Sequence, residues 1–224
     1  MRSISSRFLP ATARLLVVAA LLGWSVSLVL FRLYLGHDRL GYGLLWNLFL
    51  AALPLLWSSA FRRAVARKNW SWASVSFVLW ILFLPNAPYL LTDLIHLNPK
   101  PNVPEWYILA MLLSCAATGT LIGYISLMEV HASIERKFGF TAGWLLALGS
   151  LMGCGFGIYL GRFLRWNSWD AFTHPLLFAR TVIGQFVDAG PHPHPIPVTL
   201  IFGGGLLIGY VVLRVLMTPT DNQM

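Results

Sequence analysis

Two short stretches of the chain carry residues whose types and spacing could do chemistry. The first, residues 83–97, reads FLPNAPYLLTDLIHL and places Asn86, Tyr89, Asp93 and His96 at i, i+3, i+7 and i+10. On a helix that spacing keeps all four on one face, with Leu90, Leu91, Leu94, Ile95 and Leu97 covering the rest. A carboxylate one turn from an imidazole fixes its tautomer and raises its basicity, which makes Asp93 and His96 the candidate acid–base pair. The second stretch, residues 161–170, reads GRFLRWNSWD. If its helix continues, Arg162, Arg165, Trp166 and Trp169 fall at i, i+3, i+4 and i+7. Guanidinium forks grip phosphate or carboxylate through two parallel bonds, and indoles stack on them. Asn86, Tyr89, Arg162, Arg165, Trp166, Asn167 and Asp170 are therefore the candidate substrate- or anion-binding residues. The plainer reading has Asp93 and His96 wet in the headgroup layer and the arginines snorkelling among interfacial tryptophans.

The elements that must position these residues follow from composition. The 224 residues are 57% hydrophobic and only 11% charged, with a mean hydropathy of +0.69. A soluble domain carries about 25% charged residues. So few charges cannot cover a water-exposed surface, and the chain reads as an integral membrane protein. Apolar runs of spanning length recur near 15–35, 41–61, 72–97, 107–128, 141–161 and 197–217, each about 20 residues or more, enough for a hydrocarbon core of about 30 Å. The expected fold is all-α and polytopic, with about six transmembrane helices in a single helical domain over 1–224. The first run follows Arg2, Arg7 and Arg14 like a signal peptide. It continues to Phe31 and beyond, longer than a secretory core, so it reads as an uncleaved anchor.

The third run is too long to cross straight. Pro85 and Pro88 each remove a backbone donor and bias Leu84 and Ala87 toward extended geometry. The expectation is a break at Pro85–Pro88, with Asn86 capping a short new helix over roughly 87–97. Residues 175–188, PLLFARTVIGQFVD, are too short to span and read as an interfacial or re-entrant helix whose polar positions include Arg180, Gln185 and Asp188. The AGPHPHPIP that follows reads as a stiff connector with His192 and His194 facing water.

The net charge of +8 resides mostly between the apolar runs. No basic domain stands outside them, so nucleic-acid binding is not expected. Arg2, Arg7 and Arg14, then Arg62, Arg63, Arg67 and Lys68, then Arg136 and Lys137 alternate with less basic connections. Those segments are expected in the cytoplasm, with both termini, and the two motifs at the outer interface. Arg162, Arg165 and Arg180 run against that bias but lie in a longer segment. Tyr34, Trp70, Trp72, Trp106, Tyr107, Trp166 and Trp169 near the run ends read as the interfacial aromatic belt.

Other features read structurally. Gly149, Gly153, Gly157 and Gly161 make a bare stripe, echoed by Gly119 with Gly123 and Gly205 with Gly209. Such stripes let helices approach closely within the bundle, with a homo-oligomer seam or close passage of a lipid chain as alternatives. Glu129, His131 and Glu135 in EVHASIER lack HExxH spacing and read as a solvated helix end. Cys115 and Cys154 read as buried small hydrophobes. No phosphate loop, dinucleotide loop, haem-attachment motif or nucleophile elbow appears, and no cofactor or metal is identified.

FLPNAPYLLTDLIHL and GRFLRWNSWD resemble the two hallmark segments of a bacterial family of polytopic membrane proteins classed as a domain of unknown function. The resemblance covers nearly the whole chain. It implies a compact multi-helix domain in the bacterial cytoplasmic membrane, and no activity, cofactor or substrate. Three functions follow from the residues themselves: an enzyme acting at the outer leaflet on a lipid or lipid-linked substrate, a small-solute or ion transporter or channel built on the broken helix, and a non-catalytic membrane assembly partner.

Overall fold

Between Phe138 and Phe140 the chain reverses on a single residue, Gly139, whose φ of +91° is open to glycine and costly for other residues. That reversal joins the two helices on which the rest of the protein is assembled. A computed structural model describes residues 11–36, 39–97, 103–187 and 192–217. Its helices are α1 (Ala11–Leu35), α2 (Arg39–Ala66), α3 (Trp70–Phe83), α4 (Asn86–Tyr89), a 3-10 segment (Leu90–His96), α5 (Glu105–Phe138), α6 (Phe140–Phe163), α7 (Asp170–Thr173), α8 (Pro175–Val187) and α9 (Pro195–Leu216). Among the described residues, six stretches are long and apolar enough to cross a membrane, counting α3 through the 3-10 segment as one. The protein is thus an all-α polytopic membrane protein, as its apolar runs predict.

The long helices alternate in direction. One end of the bundle holds the Gly139 turn, Arg14 and Arg214; the other holds Arg162, Asn47 and Asp93. Each end has its own buried cluster. Phe61, Trp80, Tyr124, Leu127, Leu151 and Tyr210 pack toward the Gly139 end, and Val29, Leu44, Leu48, Ala87, Leu90 and Ile108 toward the Arg162 end. Outward faces stay apolar, with Leu15, Leu200, Ile201 and Val215 exposed where a soluble protein would place charge. Helix contacts inside the bundle include hydroxyl pairs. Ser25 on α1 meets Ser114 and Thr118 on α5, each at 2.9 Å, polar links of the kind that join helices in lipid.

Several expectations need correction. The helix expected over 107–128 runs on to Phe138, so EVHASIER lies inside it rather than at a solvated end. His131 is fully buried, and Glu129 nearly so. The third passage does break at the prolines, but Leu84 keeps helical dihedrals (φ −54°, ψ −40°), as does Pro85. The chain tightens instead of extending: Ala87 N donates to Leu84 O at 3.1 Å, and residues 90–96 continue as a 3-10 helix. Asn86 is the first residue of α4, and its side chain donates rather than caps. The arginine segment does not continue as a helix either. α6 stops at Phe163, Arg165 turns left-handed at φ +58°, and Trp166 N closes the turn on Leu160 O at 3.1 Å. The aromatic belt loses two members, since Tyr107 is buried and donates to Leu28 O, while Trp166 turns inward. Arg32, at the end of the first run, is only 1% exposed. Asp188 lies outside the described residues.

Candidate site between the broken helix and the arginine turn

Breaking a helix at two prolines strands carbonyls. Without regular N–H partners one turn on, Leu82 O and Phe83 O would be unsatisfied in a bilayer. The two motifs solve this jointly. Asn86 Nδ2 donates back to Phe83 O at 3.0 Å and also to Ser168 Oγ at 2.9 Å. Ser168 Oγ in turn donates to Leu82 O at 3.1 Å. The turn after α6 is thereby sewn onto the break in the third passage.

The glycine stripe on α6 supplies the socket. A Cβ on Gly157 would fall 2.5 Å from Pro85 Cβ, and one on Gly161 would fall 2.8 Å from Tyr89 Cε2. A methyl at either position would push the break off α6. Opposite, a Cβ on Gly119 of α5 would collide with Ala87 O. Gly149 and Gly153, in contrast, meet nothing within 4 Å, so the stripe divides into a packed half and an open half.

A half-open cavity of about 710 Å³ lies between these elements. Asn86, Tyr89, Arg162, Arg165, Trp166 and Asn167 all line it, joined by Asn47 on α2 and by Ser168. Below this polar rim the walls turn apolar, with Leu50, Ile81, Phe156 and Leu160. Gly153, the deepest lining residue on α6, stands nine positions before Arg162, about 13 Å down the helix. Phe178 on α8 closes the rim, its ring edge-on to Trp166 at 5.3 Å. α8 is tied down by Tyr159 Oη, which donates to Gln185 Oε1 at 2.8 Å.

Asp93 and Asp170 stand behind the wall rather than on it. Asp93 is 5% exposed; its Oδ2 accepts from Asn47 Nδ2 at 3.0 Å and its Oδ1 lies 3.9 Å from Arg162 Nη1. The face carrying Asp93 therefore looks into the bundle. Asp170 accepts from Asn167 N at 2.7 Å and from Asn167 Nδ2 at 3.3 Å, which shapes the turn that presents Asn167. Trp169 packs edge-on against Trp46 of α2. His96 belongs to the 3-10 segment, and its side chain lies outside the described residues.

Asn47, Ser168 and Trp46 join the site beyond the residues the two motifs predict. Asn47 carries a legible signal, an amide in the apolar run GLLWNLFL. Ser168 carries none.

A second polar assembly occupies the Gly139 end. Glu129 accepts from Arg14 Nη1 at 2.8 Å, Ser58 Oγ at 2.8 Å and Ser59 Oγ at 3.1 Å, with Arg62 Nε 3.9 Å away. Beside it, Arg214 Nη1 lies 2.9 Å from His131 Nε2, and His131 Nδ1 lies 2.9 Å from Tyr210 Oη. Arginine can only donate, so Nε2 accepts and the imidazole proton sits on Nδ1. Glu135 Oε2 lies 3.5 Å from Arg214 Nη2. These groups are clamps between α1, α2, α5 and α9. Among the described residues no group of three or more His, Cys, Asp or Glu side chains is placed to hold a metal.

Comparison with known proteins adds one relationship. No curated protein and no solved structure matches the chain. The family described as "Protein of unknown function (DUF1361)" matches residues 46–208, which take in both motifs, every lining residue of the cavity and five of the six spanning stretches wholly or in large part. The chain belongs to the DUF1361 family.

Proposed function

We propose that the cavity binds an amphiphile with an anionic headgroup, a phospholipid or lipid-linked molecule, at the extracytoplasmic face of the membrane. The observation that carries this reading is the gradient along α6. Two guanidinium groups and three amides ring the mouth, and the walls become apolar over the next about 13 Å toward the membrane centre. A headgroup phosphate would sit on Arg162 and Arg165, where Trp166 supplies an aromatic flank. An acyl or isoprenoid chain would run down past Phe156 toward Gly153. The sidedness rests on charge: Arg62, Arg63, Arg67, Lys68, Arg136 and Lys137 gather at the opposite end, which the positive-inside rule assigns to the cytoplasm.

Asp93 acts in this reading as the carboxylate that holds Arg162 in place, with Asn47 fixing its other oxygen. An acid–base role for Asp93 with His96 has less support, because Asp93 stands behind the cavity wall and not on it. The carrier alternative has less support, because the carbonyls freed by the helix break already accept from Asn86 and Ser168 and are not open to a cation.

The test is binding by the purified protein in nanodiscs. Native mass spectrometry with short-chain phosphatidylglycerol and phosphatidylcholine should show saturable retention of the anionic lipid. Arg162→Ala with Arg165→Ala should abolish that preference. Equal retention of both lipids by the unaltered protein would refute the proposal.

A further inference from the structure

At the opposite end of the bundle a separate groove of about 420 Å³ lies between α3 and α5, floored by α2. Its walls are almost wholly apolar, with Phe61 and Val65 below, Ala73 and Phe77 on one side, and Ile134 and Phe138 on the other. Lys137 stands at its mouth, with Nζ 3.1 Å from the centre of the Trp70 ring. The indole face holds the ammonium in position, and with three N–H donors on the nitrogen it does not exhaust them. Among the described residues Lys137 has no carboxylate partner.

Basic residues flank the lining residues along the chain, with Arg63, Arg67 and Lys68 near Phe61 and Val65 and Arg136 next to Lys137. The carboxylates of this end are already engaged, Glu129 by Arg14 and Glu135 by Arg214. A lysine ammonium at the mouth of an apolar slot that borders exposed Val78 and Phe138 matches one molecular shape, a negative headgroup on a hydrocarbon chain.

We propose that this groove is a second lipid site, specific for an anionic phospholipid of the leaflet at the Gly139 end, with its phosphate on Lys137 and one acyl chain along Phe61 and Phe77. It shares no lining residue with the larger cavity and stands whether or not that cavity binds an amphiphile.

Photoreactive phosphatidylglycerol and phosphatidylcholine, each with a diazirine in one acyl chain, would be cross-linked to the full-length protein in nanodiscs and the adducts mapped by mass spectrometry. Adducts from phosphatidylglycerol should concentrate at residues 70–78 and 133–138. Lys137→Gln should lower them about fivefold, the effect of one cation near an anionic headgroup, while Lys137→Arg retains them and Arg165→Ala leaves them unchanged. Equal labelling by the two lipids, or labelling unaffected in Lys137→Gln, would overturn the proposal. Because Lys137 lies at a helix end, with ring contacts to Trp70 and Phe138 and no carboxylate partner among the described residues, its variants should fold. The melting temperature of each checks this.

Discussion

The two ends of the bundle use the same side chains to opposite effect. At the Gly139 end, Glu129 joins Arg14, Ser58 and Ser59 between helices; at the Arg162 end, Asp93 accepts from Asn47 and lies 3.9 Å from Arg162, which lines a large cavity. A buried carboxylate costs free energy unless it is fully paired. The first end spends its polar groups on one another and yields a clamp between helices. The second holds one arginine from behind and leaves Arg165 at an exposed left-handed turn, where a ligand can complete the set.

That contrast can be broken most forcefully at Glu129. Glu129→Ala leaves partly buried Arg14 without its carboxylate and Ser58 and Ser59 without their acceptor, and should cost about 2–4 kcal/mol, seen as a large drop in melting temperature or a failure to accumulate in the membrane. Asp93→Ala should cost less than half as much, because its neighbour Arg162 lines the cavity and can turn its charge into it. Equal losses would erase the distinction between the two ends. Next in size, Arg165→Ala should weaken retention of an anionic amphiphile by roughly tenfold to a hundredfold while changing stability by no more than about 0.5 kcal/mol; titration by native mass spectrometry, with melting curves alongside, separates the two effects. Gly157→Leu should destabilise by about 1–3 kcal/mol, because Pro85 fills the space its side chain needs. Smallest of all, Gly149→Ala meets open space and should be neutral or stabilising by up to about 1 kcal/mol. If thermal unfolding ranks Gly149→Ala with Gly157→Leu, the division of the glycine stripe into packed and open halves is wrong.

What the sequence revealed of this arrangement depended on how local the signal was. The six passages were legible because hydrophobicity over about 20 residues is a property of each segment alone. The break was legible because Pro85 and Pro88 act on their own neighbours. Its geometry was not, since the freed carbonyls of Leu82 and Phe83 are satisfied by Asn86 and by Ser168, 86 positions beyond Leu82. Nothing local marks Arg165 for a left-handed turn, a conformation that glycine or asparagine would have signalled. Glu129 and His131 looked like a wet helix end because their partners, Arg14, Ser58, Tyr210 and Arg214, sit on other helices, 71 to 115 positions away. Six of the candidate binding residues, Asn86, Tyr89, Arg162, Arg165, Trp166 and Asn167, do share one cavity. Asp93 and Asp170 lie behind it.

The most direct test of the account is an electron cryomicroscopy map of the protein in nanodiscs of anionic phospholipid, with a rigid antibody fragment as fiducial. The account predicts a headgroup within about 3 Å of both the Arg162 and Arg165 guanidinium groups, with its chain descending along α6 past Phe156 toward Gly153. A cavity filled only by water, or a lipid chain excluded from it while Arg162 and Arg165 point away from each other, would contradict it.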